Sequence, residues 1–313
     1  MATQLRVPSE HSFAHSSADF RPDRRMHAKN HPLWFLIPAF CVLAVFFVVP
    51  TVYNFVYAFT DWSGFKSAIN GAGLSNFVAL AHNGTLVKDL YITLIYAVLV
   101  AVFQNLFGLL LAVLLERDTG INRFARTMFF IPVLMSALAV GYIFRALLKP
   151  DGALNGLLGS IFRTTVTIPW INSTRWTLLT VAIIHAWKWA GLSMLIYLAG
   201  LKTISADVLE AATIDGSGAW TTFWKVRFPL IAPAVTFNVA TALLGSMNGF
   251  DIVQATTGGG PAQTTELLNI FIFRTFGQGL FAQATTMSLV LFLMIVILAF
   301  PIIWALRRRE NVL

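Results

Sequence analysis

Two groups of residues in this 313-residue chain have types and spacings that could do chemistry. The first is a set of polar side chains inside long apolar runs. Lys188 lies near the middle of the run 177–201, between Trp187 and Trp189, and His185 is one turn earlier. In the run 230–252, Asn238, Thr241, Gly245 and Asn248 recur at 3-4-3 spacing, which places them on one stripe of a helix, with Asp251 beside its outer end. Polar groups at membrane depth are costly, so their presence points to a transport pathway. Indole faces combined with amides and hydroxyls suit a ring that is apolar on its faces and hydroxylated at its edge. Lys188 adds a donor, either for a solute hydroxyl or for Asp251. The same groups also serve as bonds between helices, or, for Lys188, as a reach into a water-filled vestibule. Gln104 and Asn105 read as interhelical bonds of this kind.

The second group lies in the polar connector 201–233, LKTISADVLEAATIDGSGAWTTFWKVRFPLIAP. Ser205 can cap a first short helix, with Asp207 near its positive dipole end. Leu209, Ala212 and Thr213 share one face, and Glu210-Ala211-Ala212 keeps the surface small enough for a neighbour to approach. Asp215-Gly216 ends that helix, because glycine tolerates the positive φ of the turn. Ser217 can cap a second helix carrying Trp220, Phe223, Trp224 and Arg227 at i, i+3, i+4, i+7, and Pro229 and Pro233 frame the next apolar run. A rigid amphipathic element of this kind suits docking into a partner's groove, where the Glu210 carboxylate can pair with Arg or Lys.

Other chemistry is missing. No G-x-x-x-x-G-K-[ST] loop occurs, and Gly258–Gly260 run into Pro261 rather than Lys, so ATP is not handled in that manner. No zinc spacing appears, and the single Cys41 excludes a disulfide within the chain. No resident cofactor, metal or catalytic residue is expected. Asn83-Gly84-Thr85 and Asn172-Ser173-Thr174 fit a glycosylation sequon and are read as ordinary loop residues.

The elements that must position these residues are membrane spans. The chain is 57% hydrophobic and 12% charged, against roughly 25% charged in soluble domains. Its apolar residues gather into runs longer than the ~18 residues that mark a span. Six helical spans are expected, at about Leu33–Phe59, Leu90–Leu115, Thr127–Leu148, Thr177–Leu201, Leu230–Ile252 and Thr285–Leu306. Backbone groups in lipid must bond internally, and the runs lack the alternation of a barrel. The fold class is therefore all-α integral membrane. With both termini cytoplasmic, 14 of the 22 basic residues fall on the inner side, including Arg21, Arg24, Arg25, Arg117, Arg123, Arg126, Lys225 and Arg307–Arg309. Trp62, Trp170 and Trp176 mark outer span ends, and the outer loops are about 60–89, 149–176 and 253–284. The net charge of +8 follows the membrane flanks and implies lipid contact, not nucleic acid. Residues 1–31 read as a cytoplasmic tail without a cleaved signal and disordered at its start, 32–306 as the transmembrane domain with its connector at 201–229, and 307–313 as a basic cytoplasmic tail.

The connector resembles the EAA loop of the membrane-spanning subunits of bacterial ABC importers. Glu210, Ala211, Ala212, Asp215, Gly216, Phe223, Pro229 and Pro233 match that pattern, while Ser217, Val226 and Phe228 replace its usual Ala, Ile and Leu. Gly73-Leu74-Ser75-Asn76-Phe77 and Thr257-Gly258-Gly259-Gly260-Pro261 resemble stretches of the sugar-importing branch, and extend the likeness over most of 30–306. The resemblance implies a permease working by alternating access. Its partners would be a related second permease, two cytoplasmic ATPase subunits that use the ATP, and an extracytoplasmic solute-binding protein. The solute would be a sugar, a polyol or a glycerol-phosphate-like molecule. The residues above would be ATPase-coupling (Glu210, Ala211, Ala212, Asp215, Gly216) and solute-path groups (Trp187, Lys188, Asn238, Thr241, Asn248, Asp251). A stand-alone ion-coupled transporter would need carboxylates at mid-membrane depth, and an integral-membrane enzyme would need a His, Asp or Ser constellation at one membrane face.

Overall fold

The computed structural model describes residues 33–310; the tail 1–31 and the last three residues of the 307–313 tail lie outside the described residues. Two units can be distinguished, Met1–Val48 and Val49–Leu313. The described part of the first holds a 3₁₀ turn, Leu33–Leu36, then α1 (Ile37–Leu43) and a π-helical turn, Ala44–Val48. The second begins with α2 (Val49–Tyr57) and continues with α3 (Ser75–His82), α4 (Thr85–Leu114), α5 (Gly120–Leu134), α6 (Ala137–Leu147) and α7 (Ala153–Phe162). It goes on through α8 (Thr177–Lys202), α9 (Ala206–Ile214), α10 (Ala219–Thr222), a π-helical turn Phe223–Arg227, α11 (Phe228–Leu230) and α12 (Ala232–Met247). It ends with α13 (Phe250–Thr256), α14 (Leu268–Gly277) and α15 (Phe281–Glu310). Among the described residues there is no strand, only an isolated bridge between Thr60 and Gly71.

Among the described residues, four helices are long and apolar enough to cross a membrane: Ile37–Tyr57, Thr85–Leu114, Thr177–Lys202 and Phe281–Ile302. The number rises to as many as six if each of two bent pairs counts as one span: α5 with α6, bent by 99°, and Ala219–Leu230 with α12, bent by 71°. The third span expected over 127–148 is thus bent near its middle. Met135 and Ser136 are extended, and Pro132 three residues earlier has no N–H to hold the last turn. The fifth expected run also divides, because the helix stops at Met247 and restarts at Phe250. Gly249 fills this gap: a Cβ there would lie 2.9 Å from the Tyr96 ring and 3.3 Å from His185. Hydropathy sees only that both stretches are apolar and cannot register either break.

The core of the second unit is the pair α4 and α8. Ala97, Ala101, Gly108 and Ala112 run down one side of α4 and are buried. A Cβ on Gly108 would come within 2.5 Å of the Ser193 Cβ, so the two backbones touch. Without a hydrophobic drive between helices in lipid, such close approach and a few polar bonds supply the attraction. Gln104 donates to the Ser193 hydroxyl at 3.0 Å, Tyr197 donates to Asn105, and Tyr96 bonds His185 at 2.8 Å. Gln104 and Asn105 are thus interhelical, as their positions imply. On the outside, large apolar residues such as Val102, Leu106 and Leu110 are exposed along α4, as a lipid-facing surface requires.

Candidate functional site

The connector folds as two helices around one turn, as expected from its residues. Ser205 stands at the N-cap of α9 in extended conformation, although its side chain makes no capping bond there, and Asp207 is in the first turn. Gly216 has φ +74°. Its N–H bonds to the Thr213 carbonyl, and the Ser217 N–H reaches back to the Ala212 carbonyl, both at 3.0 Å. This paired closure is the helix-ending arrangement in which glycine occupies the left-handed position. It also corrects the expected cap of the next helix. Ser217 is engaged in ending α9, so α10 starts one residue later with Gly218 at its N-cap.

The expected i, i+3, i+4, i+7 face is reshaped as well. Phe223–Arg227 form a π-helical turn ahead of Pro229, which has no N–H to donate. Trp220 (76% exposed) and Trp224 stack edge to face at 5.7 Å, while Arg227 turns inward and pairs with Glu116 just beyond α4. Arg126 of α5 closes the same end of α4, donating to the carbonyls of Leu115, Glu116 and Arg117 and pairing with Asp118 at 3.2 Å. The connector is therefore tied to the bundle at Arg227 and stands free at its tip. Glu210, Ala211, Asp215 and Gly216 are exposed, Ile214 is 86% exposed, and Ala212 is buried.

The intramembrane polar residues do not form one surface. Lys188 is buried, donates to the Val133 carbonyl at 3.2 Å, and lies 4.0 Å over the Trp189 ring. Val133 is in the last turn of α5, where helix carbonyls lack partners and the dipole is negative, so the ammonium caps the broken end of that helix. Three residues on, Gly191 packs on the α5 backbone at Phe129, which leaves no room for a Cβ. Among the described residues no ion pair joins Lys188 to Asp251, and Asp251 is exposed at the start of α13. Asn238 is fully buried and donates to the Ser193 carbonyl at 3.3 Å. Thr241 and Asn248 are exposed on the same stripe and return their side chains to their own helix at Phe237 and Leu244. Trp187 is partly exposed, with its ring edge to face on Phe144 at 5.2 Å.

The sequence pattern did not single out a buried acidic group at the N-terminal end of α4. Asp89 is 0% exposed and, among the described residues, neither of its carboxylate oxygens has a hydrogen-bond partner, while Glu266, 1% exposed, pairs with Arg274 at 2.7 Å. Lys88 beside it donates to Gln263 at 2.9 Å. Their positions at the edges of apolar runs gave the only signal, and edge charges ordinarily face water.

Residues 104–309 match the family of binding-protein-dependent transport system inner membrane components. The chain belongs to this family. It is an ABC importer permease, a multi-pass protein of the inner membrane. It is 30% identical to the probable starch degradation products transport system permease protein AmyD of Thermoanaerobacterium thermosulfurigenes, over 88% of this chain and 94% of the relative. It is likewise 30% identical to the lactose transport system permease protein LacF of Rhizobium radiobacter, with the same coverage of each chain. Among solved structures, the bacterial alginate ABC transporter in complex with its alginate pentasaccharide-bound periplasmic protein contains a chain of like fold. That chain has a TM-score of 0.73 and 21% identity over 87% of this chain and 91% of its own, a likeness that speaks for the fold.

Proposed function

We propose that this permease imports a sugar or related polyhydroxy solute delivered by an extracytoplasmic binding protein. It would work with a second, homologous permease and two cytoplasmic ATPase subunits, which alone use ATP. The chain itself then needs no cofactor. In this reading α5 with α6 forms one span and α12 another, giving six with the four long helices, and both termini and the connector, α10 included, lie in the cytoplasm. The observation that carries the reading is the α9–Gly216–α10 element, exposed at Glu210, Ile214 and Trp220 and anchored through Arg227 to Glu116. A rigid lever with a free tip and a fixed root can turn ATPase closure into movement of the spans. Relatives named for starch products and lactose support the solute class. Trp187, Thr241, Asn248 and Asp251 would line the solute path, with Lys188 and Asn238 packed behind them.

The test is uptake of labelled solutes by the reconstituted complex, with ATPase retention measured beside it. Glu210→Ala should loosen the ATPase. Gly216→Pro should abolish uptake, because proline cannot adopt φ +74°. Full uptake by Gly216→Pro with the ATPase still attached would refute the coupling role.

A further inference from the structure

A polar pocket of about 310 Å³ opens between the C-terminal end of α6, the loop at 171–172 and the glycine-rich loop after α13. Arg145, Lys149, Asn172, Thr257 and Gly260 contribute to its lining, and among the described residues no acidic one does. Arg145 and Lys149 are exposed, and among the described residues neither takes part in an ion pair. By contrast Lys88, which donates to Gln263, and Arg274, which pairs with Glu266, are already committed. The pocket wall is fixed from within. The Thr257 and Thr265 hydroxyls bond at 2.8 Å, and Thr265 donates to the Gly260 carbonyl at 2.7 Å, which holds the glycine-rich loop in shape. Two unpaired cations and an amide around a concavity make a carboxylate site, with the planar guanidinium able to take both oxygens.

We propose that this pocket binds a carboxylate on the extracytoplasmic face, supplied by an acidic side chain of the docking binding protein or by an acidic sugar. The side assignment rests on the topology proposed above. The walls come from three outer segments, so an anion seated there bridges α6 to the loop that follows α13 and senses their spacing.

The experiment compares wild type with Arg145→Ala/Lys149→Ala in the complete transporter in nanodiscs. Both side chains are exposed, and recovery of the intact complex verifies folding. One arm titrates the cognate binding protein and reads ATPase stimulation. The other titrates glucuronate, with glucose as the neutral control, against the complex without binding protein, using thermophoresis. A charged hydrogen bond lost per cation corresponds to about tenfold or more in affinity. A rise of that size in the half-saturating binding-protein concentration, with a flatter salt dependence, assigns the carboxylate to the binding protein. Loss of glucuronate binding, with glucose binding absent throughout, assigns it to the solute. If the double variant matches wild type in both arms, the proposal is overturned. If wild type gives no stimulation by any binding protein, the importer reading fails, and the glucuronate arm still decides the pocket.

Discussion

Ser193 shows how much a small residue can organise in an apolar bundle. Its Cβ faces Gly108, its hydroxyl accepts from Gln104, and its carbonyl accepts from Asn238, so α4, α8 and α12 meet there. Lys188 has a comparable role one and a half turns earlier, at the broken end of α5. Lys188→Met leaves the Val133 carbonyl without its donor and should destabilise the protein by roughly 1–3 kcal/mol, read as a lower unfolding temperature in detergent. Lost uptake with unaltered stability would instead place the amine in the solute path. Outside the membrane, Asp61 accepts from the Asn70 N–H at 2.7 Å and from Lys66 at 2.9 Å, and these donors hold its carboxyl down at about 2. A depressed carboxyl stabilises the fold above its ordinary value of 3.8, and that contribution disappears as pH falls through about 2. The protection factors of loop 60–71 should therefore drop between pH 4 and 2, and Asp61→Asn should show the same low protection at neutral pH.

At the scale of elements, the decisive features are interruptions. The 99° bend between α5 and α6 and the gap between α12 and α13 both occur where another helix supplies the missing contact: Lys188 for the first, the Tyr96–His185 pair for the second. The connector depends on the same kind of support. Its root is the Arg227–Glu116 pair at the end of α4, and Arg126 holds that end closed. Glu116→Gln and Arg227→Gln should each reduce uptake more than ATP hydrolysis, because the lever still docks but no longer pulls on α4. The exchange Glu116→Arg with Arg227→Glu should recover part of the coupling. Equal loss of hydrolysis and uptake in the single variants would mean that the pair supports assembly instead.

For the whole molecule, exposed apolar faces and the uneven distribution of basic residues between the connecting segments constrain how the chain sits in its membrane. Cysteines at Ser67 and Thr174, both exposed in loops assigned to the outside, should react with an impermeant thiol reagent in intact cells. A cysteine at Ser205, exposed at the start of α9, should react only after permeabilisation. Background from Cys41 is removed by its replacement with alanine. Labelling at Ser205 from outside would invert the proposed orientation and move the connector away from any cytoplasmic ATPase.

The sequence alone determined what local chemistry decides. The long apolar runs require helices, since lipid leaves no other partner for the backbone. Gly216 ends α9 because only glycine takes the left-handed turn cheaply. The connector's motif also carried the family likeness that residues 104–309 bear out. Tertiary structure decided where polar side chains point. Asn238 and Asn248 share a stripe by spacing, yet one is buried against Ser193 and the other exposed. Lys188 is a helix cap rather than Asp251's partner, because the carbonyl it meets exists only once α5 has broken. Spacing gives the face of a helix on which a residue lies, and the helix packed against that face determines the residue's role.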